Sequence, residues 1–345
     1  MHTIDLKNRA LRTDLVMDEI DRNKKDEIKP QVVVDEKNIR LEEIKIDDAV
    51  EALVHKKKGI YKTLTFTDVT DKNNFKAVEK VLIDALKKTY IDIDIKEDAK
   101  VLVIGLGNIE STPDALGPKS IDHILVTRHL FMLGEVEEGY RNVASFKPSV
   151  TGITGIETKD LIEGIISKTS PDLLIVIDAL ASSSIKRLNK TIQISTSGIS
   201  PGSGIGNNRQ ELSKETLNIP VIAIGIPTVV EATTIVQDTI NLLLKQISYN
   251  IDNQDNLKLK LTPLNSRNYE SQENILTKDQ KEDVLGMVGL LTDQELKTLL
   301  KEVLDPINYN LMVTPKEIDY TIEKLATLLG NAINKSLHKN FNPTN

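Results

Sequence analysis

The chain of 345 residues contains no cysteine and no tryptophan. The first absence removes disulfides, thiolate nucleophiles and cysteine-ligated zinc together. The second, in a chain only 3% aromatic, leaves the core to be packed by Ile, Leu and Val. An excess of positive charge is also missing. The formal net charge is -7, so no global field draws phosphates and a nucleic-acid partner is not expected. Lys56-Lys57-Lys58, the one tight basic run, reads as a solvated surface. No apolar stretch is long enough to span a bilayer, and residues 1–22 lack the apolar segment of a secretory signal. A cytoplasmic location without membrane attachment is the expectation.

What remains is 39% hydrophobic and 28% charged, the balance of a globular chain with a sizeable core. Residues 1–27 are highly charged and read as a mobile arm. Short β-type runs follow at Gln31–Val34 and Ile60–Phe66. Phe75, Val78, Leu82 and Leu86 share the face of a helix expected over 73–89. Three continuous apolar runs come next. Val101–Ile104 ends in Gly105, Leu173–Ile177 ends in Asp178, and Val221–Ile224 ends in Gly225. Such runs, with helical patterns at 116–133 and 159–167 between them, indicate strands of a parallel sheet covered on both faces. The expected architecture is a three-layer α/β fold with its site at the C-terminal strand ends. Residues 263–280 read as a polar loop. Two C-terminal helices then open with capping-box patterns, Thr292 with Glu295 and Thr314 with Glu317.

Candidate chemistry is reached by testing each class. Gly198-Ile199-Ser200-Pro201-Gly202 has the spacing of a nucleophile elbow. However, Pro201 has no N–H for the oxyanion hole and no helix pattern follows. His123 and His129 lie six apart on one expected helix, off a common face, and His2, His55 and His338 are scattered. Gly105-Leu106-Gly107 follows a strand, yet Glu110 stands where a dinucleotide fingerprint needs its third glycine. Gly202-Ser203-Gly204 is either a tight turn or a loop beside an active site. No cofactor and no metal are expected. Carboxylates remain. Asp114 lies in the loop leaving the first central strand, and Asp178 closes the next. They could share a proton and activate water against a peptide bond, or each could simply cap a helix.

These residues also carry a resemblance. Gly105-Leu106-Gly107-Asn108 with Thr112-Pro113-Asp114-Ala115-Leu116-Gly117-Pro118 resembles the spore germination protease family. So do the stretches 125–131, 152–158 (with Gly155 and Glu157), 178–181, 191–195, 201–207, 220–230 and 310–317. The resemblance runs from about residue 11 to 338. It implies an endopeptidase that degrades small acid-soluble spore proteins at germination in the spore core. It implies Asp114 and Asp178 as its essential aspartates, a phosphorylase/hydrolase-like fold and a homotetramer. It further implies a zymogen that cuts itself between Asp14 and Leu15, within Arg12-Thr13-Asp14-Leu15. On this basis residues 1–14 are a propeptide and 15–345 one α/β peptidase domain. Within it, 27–95 are β/α additions, 96–262 the catalytic core and 281–340 C-terminal helices. Gly107, Asn108, Gly155, Glu157, Gly202, Ser203 and Gly204 are candidate site-loop residues. Ser183 and Ser149 stand where Arg and Gly are common in the family. Thr196 and Ser200 replace Asp and His, and Val16 replaces Ala. Two other readings stay open: a hydrogenase-maturation-type metal-dependent peptidase, and a paralogue that binds spore proteins without cutting them.

Overall fold

A computed structural model describes residues 13–23, 28–36, 38–54, 56–202, 210–253, 276–304 and 311–341. The chain divides into two compact units. The larger comprises Arg12–Ser182, Lys186–Val229 and Thr314–Asn345, and the smaller Met1–Leu11, Ser183–Ile185 and Val230–Val313.

In chain order the elements are α1 Val16–Asn23, β1 Gln31–Glu36, β2 Ile39–Ile46, α2 Asp48–Val54, β3 Gly59–Phe66, α3 Lys72–Asp92 and β4 Val101–Gly105. Then come α4 Leu116–Ile121, α5 Arg128–Leu133, β5 Val143–Phe146, α6 Thr151–Thr154, α7 Thr158–Thr169 and β6 Leu173–Ser182. They are followed by β7 Thr191–Ser195, α8 Lys214–Leu217, β8 Val221–Glu231 and α9 Ala232–Asp252. The last are α10 Lys278–Leu285, α11 Asp293–Leu304, β9 Met312–Val313 and α12 Ile318–Leu337.

The sheet of the larger unit runs β1-β2-β3-β7-β8-β6-β4-β5. Its β4 pairs in parallel with both β5 and β6. From β8 outward, β7, β3, β2 and β1 add antiparallel strands. The continuous apolar runs follow from burial on two faces. Val103, Ile175, Ile177 and Ile224 meet α3 and α12 on one side. Leu102, Ile104, Leu174 and Val176 meet Ile162 of α7 and Leu217 of α8 on the other. Alternate residues of one strand therefore serve two cores, and no polar phase is left. This is the expected three-layer α/β fold.

Several local expectations fail for identifiable reasons. The arm is not uniformly mobile, because residues 16–23 form α1. Its Val16, Met17 and Ile20 pack with Ile44, Ile46, Val54 and Tyr61 in a third apolar cluster. Three apolar side chains among five acidic and polar neighbours suffice for a buried stripe, and each such burial is worth about 1.5–3 kcal/mol. The helix expected over 116–133 is two helices. Thr127 closes the break, donating to the Arg141 carbonyl and accepting from Val143 N–H (2.9 Å). Asn334 of α12 holds the same break, bonding Leu125 N–H and the His123 carbonyl (2.9 and 2.7 Å). Thr314 and Glu317 make no capping box. The Thr314 hydroxyl donates to the Thr228 carbonyl (2.8 Å), and α12 starts only at Ile318.

In the smaller unit, α9 packs on α11, and β9 pairs with Val230 and Glu231 at the end of β8. The capping box at Thr292 and Glu295 forms as expected, with reciprocal bonds of 2.8 and 3.3 Å. A second, at Thr277 and Gln280, starts α10 inside the segment expected as loop. Residues 263–275 of that segment lie outside the described residues.

Candidate active site

The loop that leaves β4 is shaped by close backbone approaches. A Cβ on Gly105 would meet the Gly117 carbonyl oxygen at 2.3 Å, and one on Gly117 would meet the Ile177 carbonyl oxygen at 2.6 Å. Gly107, at φ +113°, would carry its Cβ to 2.0 Å from the Asp114 carbonyl oxygen. The Gly-x-Gly spacing therefore serves this fold-back and has no need of a dinucleotide. The loop closes on a 3₁₀ turn, Thr112–Asp114, where the Asn108 N–H donates to Asp114 Oδ2 (2.8 Å). Asn108 Oδ1 accepts from the Glu110 N–H (3.0 Å) and fixes the turn before it.

Asp178 reaches the same end of the sheet. Gly105 is level with Ile177 in the β4–β6 register, so Asp178 is the first residue past it. It is 6% exposed and its Oδ1 accepts from the Ala179 N–H (3.0 Å). The turn bearing Asp114 packs against β6, and the Thr228 hydroxyl of β8 donates to the Pro113 carbonyl (2.7 Å). Three neighbouring strands thus meet at one turn, and both aspartates stand at that end of the sheet. In β6, Leu174 and Val176 face the core under α7, so the strand's alternation turns Asp178 to that face.

The segment containing Asp14 and Leu15 is docked on the larger unit. Asp14 N–H donates to the Ala181 carbonyl (3.1 Å), and Ala181 N–H returns a bond to Asp14 Oδ2 (2.9 Å). The Gln193 carboxamide spans the Asp14–Leu15 peptide. Its Nε2 donates to the Asp14 carbonyl (3.2 Å) and its Oε1 accepts from Val16 N–H (2.7 Å). Leu15 and Val16 are fully buried, so the larger residue at 16 has a seat. Ala181 lies three residues beyond Asp178, about 10 Å along an extended strand.

Gly155 ends α6 in the left-handed region, and Glu157 caps α7 while accepting from Thr151 Oγ1 (3.3 Å). Both stand in the β5–α7 connection. Gly202 is left-handed, whereas Ser203 and Gly204 lie outside the described residues, as do His2, His55 and Arg12. The Gly-x-Ser-x-Gly stretch is a bridge: Ile199 pairs with Leu212, and a Cβ on Gly198 would strike the Leu212 carbonyl oxygen at 2.2 Å. Thr196 extends the β3–β7 pairing through two 3.0 Å bonds with Ile60. Gln193 and Asp18 were not picked out by sequence reasoning. A polar residue inside an apolar strand at 193 was the available signal for the first.

Among the described residues no helix is long and apolar enough to cross a membrane, and no group of three His, Cys, Asp or Glu is placed to hold a metal ion. Comparison with known proteins gives one consistent result. The germination protease from Priestia megaterium is 42% identical over 360 residues, covering 99% of this chain and 97% of its own. That from Bacillus pumilus is 44% identical over 319 residues, covering 90% and 86%. Among solved structures, the [NiFe] hydrogenase maturation protease HycI from Thermococcus kodakarensis aligns with a TM-score of 0.28 and 17% identity, over 42% of this chain and 80% of its own, too loose an overlay to bear on the fold. A sequence model of the germination protease family matches residues 9–345, and the chain belongs to that family of proteases.

Proposed function

We propose that this protease is an aspartate-dependent endopeptidase whose acid and base are Asp114 and Asp178, and whose substrates are small acid-soluble spore proteins. The observation that supports the proposal is the placement of both aspartates at one end of β4 and β6, one held by a backbone N–H and the other almost buried. Two carboxyl groups sharing a proton supply a base for the attacking water and an acid for the leaving amine. The chain is made as a zymogen that cuts between Asp14 and Leu15, works in the spore core and assembles as a homotetramer. The docking of residues 13–16 on β6 and β7 supports the zymogen part, since it holds the bond to be cut in an ordered, reproducible place.

Protein opened before Leu15 by a site-specific protease, as wild type, Asp114→Asn and Asp178→Asn, should be compared on a purified spore protein. Each variant should fold and lose cleavage by about a hundredfold or more, because the titratable proton is gone while the shape is kept. Wild-type turnover by either variant removes that residue from the mechanism. An intact substrate with wild-type protein favours a binder. Loss of activity in chelator with rescue by zinc or nickel favours the metal-dependent peptidase.

A further inference from the structure

We propose that Asp18 is the receiving carboxylate for the α-ammonium of Leu15 after the Asp14–Leu15 bond is cut. The inference rests on the self-processing proposed above. Hydrolysis consumes one water and no other reactant. Its oxygen goes to the Asp14 carbonyl carbon, which leaves with residues 1–14 as a carboxylate. The Leu15 nitrogen takes up the protons and stays as an ammonium.

In the uncut chain, one hydroxyl bridges the two groups. Thr13 Oγ1 accepts from Leu15 N–H (3.2 Å) and donates to Asp18 Oδ2 (2.6 Å). Asp18 is the third residue of α1 and Leu15 immediately precedes that helix. An acidic side chain at this position reaches back to the N–H of the residue before the helix, the reach of a capping box. Thr13 therefore occupies a contact that helix geometry already favours. When Thr13 departs, Asp18 Oδ2 loses a donor and the Leu15 nitrogen loses its acceptor. Asp18 is 4% exposed and Leu15 fully buried in the uncut chain, so a Leu15 nitrogen left without an acceptor there would carry a desolvation cost that the nearby Asp18 Oδ2 removes.

The ammonium has a second reason to need a carboxylate. It sits at the positive end of the α1 dipole, where a bare cation is disfavoured. Two cations also face the pair. Arg187 Nε holds Asp18 Oδ1 (2.8 Å) and its other end holds Asp21. Lys56 Nζ donates to the Thr13 carbonyl (2.8 Å) and loses that acceptor when Thr13 leaves. Ser182 Oγ donates to the same Asp18 Oδ2 (3.0 Å), which ties the new N-terminus to the last residue of the strand carrying Asp178.

The test follows the Leu15 amine by its acylation rate across pH, in two preparations. One is full-length protein matured by its own cleavage. In the other, a site-specific protease opens the chain before Leu15. In both, the amine should titrate at least one unit above the ordinary value of about 8, which is a tenfold smaller free-amine fraction at neutral pH. Asp18→Asn should return it to the ordinary value or below. Should that variant not fold, a glycine inserted ahead of Leu15 in the second preparation moves the ammonium out of reach with every side chain kept, and should do the same. A matured amine that titrates near 8, or a raised value that survives both changes, overturns the inference. A chain that never cuts itself, with a raised amine value in the second preparation, overturns self-processing and leaves the ion pair standing.

Discussion

Gly107 lies so close to Asp114 that a Cβ added to it would sit 2.0 Å from the Asp114 carbonyl oxygen. The glycine also holds φ at +113°, which a side chain rarely adopts. Gly107→Ala therefore combines a clash with backbone strain, and should cost about 2–4 kcal/mol of stability. The clash pushes directly on the turn bearing Asp114, so cleavage should fall at least tenfold in protein that is still folded. Thermal melting and turnover measured on one preparation check both parts. Normal turnover would show that the position of Asp114 tolerates a shift.

Ser149 adopts φ +64°, a left-handed backbone that glycine takes without steric cost. An L-residue pays about 1–2 kcal/mol for the left-handed region, partly offset by the greater unfolded-state entropy of glycine. Ser149→Gly should raise stability by up to about 1 kcal/mol, read as a higher denaturant midpoint with an unchanged slope.

Lys62 is buried in β3 at 1% exposure, and its Nζ bonds Asp92 Oδ2 and Thr89 Oγ1, each at 2.8 Å. Glu43 lies 3.9 Å away and is shared with Lys88. Burial pushes the Lys62 pKa down. Lys62→Met keeps the stem but leaves Asp92 and Glu43 short of a cation, a loss of about 3 kcal/mol. Lys62→Met combined with Asp92→Leu should lose less than the two single losses added, because neither partner is then stranded. Strict additivity in chemical denaturation would rule out the coupling.

His338 is 2% exposed, stacks near Tyr140 and accepts from the Arg141 N–H through Nδ1 (3.1 Å). Burial, with the Arg141 charge adding to it, holds its pKa below the ordinary 6.5. The folded state therefore keeps the ring neutral where the unfolded chain already takes a proton. Its contribution is present above about pH 6.5 and is lost as pH falls below it, at up to about 1.4 kcal/mol per pH unit. Relative to His338→Gln, the wild type should lose stability between pH 6.5 and 5. Parallel melting curves across that range would contradict this.

The central strands were legible because burial on two faces leaves one-phase apolar runs. Val101–Ile104, Leu173–Ile177 and Val221–Ile224 all lie within observed strands. The antiparallel half was less so. In β2, Ile39, Leu41, Ile44 and Ile46 are buried, but Glu42 and Glu43 between them break the simple alternation. Glu43 shares the inward phase of Ile39 and Leu41, where Lys62 and Lys88, from β3 and α3, meet its charge. The break between α4 and α5 was invisible for a similar reason, since Asn334, some 200 residues away, supplies the bonds that end the helical path.

The sequence by itself determined which side chains are on hand for chemistry. It contains no thiol, offers no workable serine elbow, and puts an aspartate at the end of one buried run and another in the loop leaving its neighbour. Periodicity and residue type are local, so they survive in one dimension. Tertiary structure alone decided that Gly105, Gly107 and Gly117 interlock to press the Asp114 turn onto β6, and that Asp14 and Val16 bond Ala181 and Gln193. Those outcomes depend on backbone approaches and single hydrogen bonds between segments as much as 179 residues apart. Folding alone brings such segments together, and one-dimensional patterns of residue type do not record it.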